Sequence, residues 1–297
     1  MFWTRTKEEF LAASSMLRPI ASIVEPWLAS QDVVQGWCCR CQRIVHFQVG
    51  PREEDWRNLR EGFSCDCGLN GRARLVYGVV AELVKGRSGV RALLLERMTP
   101  LYGALKGIIG DLTGTEFFAD TEAGADKWVG ERSRGVRVRC ESMMGFSYRD
   151  ATFDLVMHFD VLEHVPDWRK GLMECRRILR PGAMLIMTFP FFEVLERNLV
   201  RTLVEDGTLR HVMPPAYHGN PLSSEGSLVY IHPSWEVIEA LAEMGFEDVR
   251  VAWRYSVEEA IVSNGCPYPD GHMWPIVFVA RRGSERRRWA PFALRSR

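Results

Sequence analysis

The apolar positions of this chain change period along its length, and those changes mark its elements. Phe153–Met157 is a short apolar run broken only by Asp154, as expected of a strand covered on both faces. Trp168, Leu172, Cys175 and Leu179 then recur at helical spacing on one face, with Asp167 placed to cap the helix. Arg180-Pro181-Gly182 stops that helix, and Ala183–Thr188 is apolar enough for a second buried strand. Near the start, Thr6-Lys7-Glu8-Glu9 before Phe10-Leu11 is a capping box. Val90–Leu95 and Val136–Cys140 read as further strands, and Arg43–Val49 as a strand inside a cysteine-rich stretch. Ser234–Met244 reads as a helix capped by Ser234 and ended by Gly245, with Phe246–Trp253 and Trp274–Ala280 as closing strands. Strands alternating with helices predict an α/β fold around a mostly parallel sheet.

In such sheets the loops that follow the parallel strands form the ligand crevice. His158, Asp160, Glu163 and His164 crowd the loop after Phe153–Met157, and four polar groups there suggest a site. The stretch 153–190, with Phe153-Asp154-Leu155-Val156, Val161-Leu162-Glu163-His164-Val165-Pro166-Asp167 and Leu179-Arg180-Pro181-Gly182, resembles class I S-adenosylmethionine-dependent methyltransferases of the "type 11" group. Their pattern has a second glycine where this chain has Ala183. The resemblance is specific over 153–190 and extends more weakly over about 77–282. It implies a doubly wound, seven-stranded Rossmann-like sheet and S-adenosylmethionine as cofactor.

A nucleoside-binding sheet of this kind needs a first strand, a close turn and an acid about twenty residues on. Glu96 ends Val90–Leu95, and Glu116 follows Gly114-Thr115. By resemblance these are the acids after the first and second strands, the second accepting from the ribose hydroxyls. The turn departs from the family, because no Gly-x-Gly occurs in the chain and Glu96-Arg97-Met98-Thr99-Pro100 stands in its place. Either the turn has another geometry or cofactor binding is impaired; it is similar to a Glu-x-x-Thr-Pro-Leu-Tyr turn in ribbon-bearing relatives, which favours the former. After the third strand, the resemblance implies adenine contacts from Glu141, Ser142 and Met143, with Glu141 or Ser142 as acceptor, although Met143 and Met144 also read as core. His158 and Asp160 are assigned to the cofactor as well. They and His164 lie where the methyl group should point. His164 is a candidate base for an acceptor hydroxyl. A second candidate, His218 with Tyr217, sits in Pro215–Pro221, within a Pro/Gly-rich segment 205–227 that reads as a long lid-like loop.

Five of the eight cysteines fall between 38 and 67. Clustering of this kind in an enzyme-like chain points to metal rather than disulfides. Cys38, Cys41, Cys65 and Cys67 fit a zinc ribbon whose four thiolates satisfy tetrahedral zinc. Cys39 competes with Cys38 for the first position, and His46 could replace a missing thiolate. Cys140, Cys175 and Cys266 read as buried small hydrophobes. The following Gly68-Leu69-Asn70-Gly71-Arg72-Ala73-Arg74 resembles a Cys-Gly-x-Asn-x-Arg-x-Arg motif found beside such cysteines in a subgroup of bacterial methyltransferases.

Acidic and basic residues balance at 38 each, so charge makes no case for nucleic acid. No apolar run is long enough to span a bilayer, and the N-terminus has no signal-peptide core, which favours the cytoplasm. The expected organisation is a helical segment over 1–35, a cysteine module over 36–76, a methyltransferase domain over 77–282 and an Arg-rich tail over 283–297. The expected function is methylation of a small-molecule or glycan-type acceptor at oxygen, with S-adenosylmethionine and structural zinc as cofactors. The rival is a non-catalytic scaffold with a degenerate sheet and a protein partner for the ribbon. A nicotinamide oxidoreductase is disfavoured, because a pyrophosphate needs the glycine turn that is missing.

Overall fold

The computed structural model describes residues 1–52, 57–131, 135–220, 222–269 and 271–284. Most of the expected Arg-rich tail, with Trp289 and Phe292, lies outside the described residues, as does Pro221. Nine strands form one sheet: β1 (Phe2–Thr4), β2 (Arg91–Leu94), β3 (Asp111–Glu116), β4 (Asp126–Val129), β5 (Val136–Cys140), β6 (Phe153–Phe159), β7 (Leu179–Thr188), β8 (Phe246–Trp253) and β9 (Ile276–Arg282). Their spatial order is β1-β8-β9-β7-β6-β2-β3-β5-β4. The five strands β5, β3, β2, β6 and β7 run parallel, while β9 pairs antiparallel with both β7 and β8. The seven strands from β5 to β8 are the doubly wound sheet expected. The short strands β1 and β4 extend it by antiparallel pairing at the two edges.

Helices α1 (Lys7–Ser30), α4 (Trp168–Ile178) and α5 (Trp235–Glu243) supply side chains to the core on one face. Helices α2 (Gly71–Val84) and α3 (Pro100–Lys106) cover the other. Alternate residues of one strand therefore enter opposite cores: Val156 joins the first, Leu155 and Met157 the second. Coverage of both faces is why these strands read as unbroken apolar runs. Thr6, Asp167 and Ser234 each cap a helix with a side-chain oxygen that accepts a backbone N–H. On α4, Leu172, Cys175 and Ile178 are fully buried. Burying each large apolar side chain stabilises the fold by roughly 1.5–3 kcal/mol.

The sheet order reverses between β2 and β6. Ligands of open α/β sheets bind in the crevice outside the strand ends at such a switch point. A third core, with Leu28, Val34, Val45, Phe47, Leu59 and Phe63, belongs to the cysteine module. Its antiparallel hairpin, Val33–Cys38 with Arg43–Gln48, packs against segment 256–261. Gly36 makes that approach possible, since a Cβ there would lie 2.1 Å from the carbonyl oxygen of Glu258.

The segment 205–227 differs from the expected long loop. It holds two hairpins, Thr202–Glu205 with Thr208–His211 and Tyr217–Asn220 with Ser223–Leu228. Their strands are mostly exposed and carry few apolar residues, so no alternating pattern marked them.

Candidate functional site

The cysteine module supplies the most compact constellation. Cys38 and Cys41 leave the hairpin turn while Cys65 and Cys67 leave the loop before α2, and their four sulfur atoms lie within 4.8 Å of one another. Cys38 Sγ and Cys67 Sγ are 3.9 Å apart, and Cys41 Sγ and Cys65 Sγ 3.6 Å. Four thiolates about 2.3 Å from one tetrahedral zinc would be about 3.8 Å from each other, so the donor set fits that ion. Cys39 is outside the cluster, its Sγ directed at the Arg74 carbonyl 3.6 Å away. His46 is exposed on the hairpin and contributes nothing to the four sulfur atoms.

Asn70, Arg72 and Arg74 tie this module to the sheet. Asn70 caps α2 by accepting from the Ala73 N–H. Arg74 is fully buried and donates to the carbonyls of Phe63, Leu69, Glu259 and Ala260, its guanidinium lying 4.1 Å over the Phe47 ring. It thereby places a cation beside the sulfur cluster and satisfies four backbone acceptors at once. Arg72 donates to Glu61 at 2.7 Å and pairs with Asp160 at 3.2 Å. Arg60 forms a two-pronged pair with Asp160, both contacts at 3.0 Å, and Thr188 donates to the same carboxylate. Asp160 follows β6, where its φ of +51° holds it in the left-handed region. The two arginines hold its carboxyl below the usual carboxylate range against the opposing effect of burial. Asp160, expected to bind cofactor, clamps the cysteine module to the end of β6 through these contacts.

The glycine-poor turn has its own geometry. Glu116, at the end of β3, accepts from the N–H groups of Arg97 and Met98 at 2.8 and 2.9 Å, both on Oε1. Oε2 is left for a further donor. Burial raises the Glu116 carboxyl and the two N–H bonds oppose that rise. Gly114 serves the turn at close range: a Cβ there would meet the Tyr102 ring at 2.4 Å and Arg97 Cδ at 2.9 Å. Arg97 stacks on Tyr102 at 4.1 Å over that glycine. Glu96 accepts from the Thr99 hydroxyl, and burial pushes its carboxyl up to about 7.

Other expected contacts are rearranged. Glu141 is buried and accepts from Arg139 Nε at 2.9 Å and from the N–H and hydroxyl of Ser147, so its two oxygens already serve the fold. Met143 sits in the core against Gly171. Ser142, partly exposed, is the polar side chain left at the end of β5. His158 is fully buried, neither ring nitrogen has a hydrogen-bond partner among the described residues, and burial lowers it to about 3, so the ring is neutral.

On the acceptor side, His164 and His218 come together although 54 residues separate them. Their rings meet edge to face at 5.2 Å. His164 lies in the short 3-10 turn after β6, and the second hairpin brings His218 over it. Glu163, which the sequence placed in the loop without assigning it a role, completes the group. Its carboxylate is fully buried and accepts no hydrogen bond among the described residues, with His218 Nδ1 at 3.5 Å and His164 Nε2 at 3.8 Å from Oε1. The backbone fixes this geometry, since Tyr230 N–H donates to the Glu163 carbonyl and His164 Nδ1 lies 2.8 Å from the Leu228 carbonyl. A carbonyl only accepts, so Nδ1 carries a proton and Nε2 is the ring nitrogen turned toward Glu163.

Residues 99–187, from the turn through β7, match the methyltransferase domain family. The cysteine cluster lies N-terminal to the matched segment. The chain is 28% identical over 141 residues to a ubiquinone biosynthesis O-methyltransferase of Parvibaculum lavamentivorans, covering 48% of this chain and 50% of that protein. It is 29% identical over 119 residues to a probable S-adenosylmethionine-dependent methyltransferase of Mycolicibacterium smegmatis, covering 40% and 44%. This chain therefore spans half or less of the length of these two curated relatives. Among solved structures, an S-adenosylmethionine-dependent methyltransferase from Mesorhizobium loti aligns with a TM-score of 0.43 and 14% identity over 70% of this chain and 98% of its own. No helix among the described residues is long and apolar enough to cross a membrane.

Proposed function

We propose that the protein is an S-adenosylmethionine-dependent methyltransferase acting at oxygen on a small-molecule or glycan-type acceptor. The observation that carries this reading is the switch point between β2 and β6. The family match starts just after β2 and takes in β6, and Glu116 and the His164–His218 pair follow parallel strands at the same end of the sheet. Glu116, through Oε2, would take the ribose hydroxyls, and Ser142 the adenine side. The cofactor supplies an electrophilic methyl group on a cationic sulfur. The remaining work falls on the chain: to align an acceptor oxygen with that methyl group and to see its proton removed. His164 and His218 serve that oxygen. The cysteine module would hold structural zinc, and through Asp160, Arg60 and Arg72 it braces the loop after β6.

The test is methyl transfer. Purified protein, methyl-labelled S-adenosylmethionine and a panel of hydroxylated small molecules and glycans should give labelled ether product and S-adenosylhomocysteine in equal amounts. Label entering only amine acceptors would overturn the oxygen assignment. No cofactor binding by the folded protein would favour the scaffold reading, for which the missing glycine turn is the supporting observation.

A further inference from the structure

Glu163 has a fully buried carboxylate that accepts no hydrogen bond among the described residues. A carboxylate with no exposed surface and no hydrogen-bond donor is costly to keep, and such groups are ordinarily paired or bound to metal. Its neighbours are two imidazole nitrogens at 3.5 and 3.8 Å, too long for hydrogen bonds. Ligands of one ion, each about 2.1 Å from it, stand roughly 3–3.5 Å apart. All three donor atoms lie within 4.8 Å of one another. His164 has the arrangement of a ligating histidine, with Nδ1–H given to a backbone carbonyl and Nε2 turned inward. His218 is 37% exposed, so the group opens toward solvent on that side.

We propose that Glu163, His164 and His218 form a divalent transition-metal site with open coordination positions, separate from the cysteine cluster. Two imidazoles and one carboxylate suit zinc, cobalt or iron(II) rather than magnesium or calcium. The open positions take the acceptor through its oxygen, which narrows the acceptor class to hydroxyl compounds able to coordinate a metal. This deepens the methyltransferase reading and rests on it for the acceptor, though not for the metal. In the reaction the coordinated hydroxyl loses its proton to solvent. Its oxygen forms the new O–CH3 bond as the S–CH3 bond breaks and the electron pair stays on sulfur, and the metal does not change oxidation state.

The experiment is a cobalt(II) titration of protein that already carries one zinc per chain, followed by calorimetry and absorbance, in wild type, Glu163→Gln and His218→Ala. The proposal expects one cobalt per chain at micromolar affinity or tighter in wild type. Binding should be at least about 100-fold weaker in each variant and unaffected by excess magnesium, without the intense bands of thiolate-bound cobalt. No second ion in wild type, equal binding in the variants, or cobalt appearing only with thiolate bands would each overturn it. S-adenosylhomocysteine affinity, measured on the same samples, should be the same in all three proteins. That reports both intact folding and the cofactor site, so a failed metal site and a failed methyltransferase reading give different results. In the metal-free state Glu163→Gln should melt no lower than wild type, because the carboxylate it replaces accepts no hydrogen bond among the described residues.

Discussion

Glu96 shows how one side chain can couple the cofactor turn to pH. Its carboxyl rises from 4.5 to about 7 because burial disfavours the charged form more than Thr99 and Arg72 favour it. The folded protein therefore binds a proton more tightly than the unfolded chain at this site. By linkage, this group's contribution to stability is unaffected below about pH 4.5 and falls as pH climbs to about 7, by up to roughly 3 kcal/mol. Glu96→Gln should remove that slope and be the more stable protein at pH 8, with little difference near the low end of the window. Chemical denaturation of both proteins at several pH values between 5 and 8 checks this, and parallel profiles would contradict it. His158 behaves in the opposite sense: held near 3, it stays neutral throughout this range and adds no charge to the crevice.

At the scale of elements, the joint between the cysteine module and the sheet is the point of greatest leverage. Arg60 and Arg72, both largely buried, converge on Asp160. Removing that carboxylate by Asp160→Ala leaves Arg60 and Arg72 to share Glu61 and should cost up to about 3–5 kcal/mol. The loss should appear in denaturant unfolding and as faster hydrogen exchange in the hairpin 33–48. A cost below about 1 kcal/mol with unchanged exchange would show that the module does not depend on the clamp. Much of this level was legible in the sequence. The caps Thr6, Asp167 and Ser234 and the strand Val136–Cys140 could be read because local spacing and capping chemistry decide them, whereas the seven-stranded sheet was implied by the family resemblance. The strands β1 and β4 were not, since each is only three or four residues long and is defined by its partner across the sheet. The hairpins of 202–228 were lost for a related reason: their exposed strands bury no apolar face that would leave a periodic mark.

The same distinction runs through the candidate site. Cysteine spacing pointed to Cys38, Cys41, Cys65 and Cys67 because thiol chemistry is written in short intervals. Glu163 and His218 meet only because the second hairpin folds back over the 3-10 turn, and no local signal records that. Asp160 and Glu141, by contrast, are placed at the cofactor by the resemblance, and the sequence does not show the fold contacts they also make. Arg60, Arg72, Arg139 and Ser147 claim them, and only tertiary structure brings those partners in.

For the whole molecule, the fold sets a sheet with its switch point between β2 and β6, a metal-type module clamped beside it and a hairpin lid above. The central claim is that this crevice binds S-adenosylmethionine even though the turn holding it lacks glycine, because Glu116 and Gly114 shape that turn instead. The most direct measurement is calorimetric titration of the zinc-loaded protein with S-adenosylhomocysteine, in wild type and Glu116→Ala. The account predicts one site per chain with micromolar affinity, about 8 kcal/mol, weakened at least tenfold in the variant, which loses both the ribose acceptor and the support of the Arg97 and Met98 N–H groups. No binding by folded wild-type protein, or equal binding by the two, would contradict it.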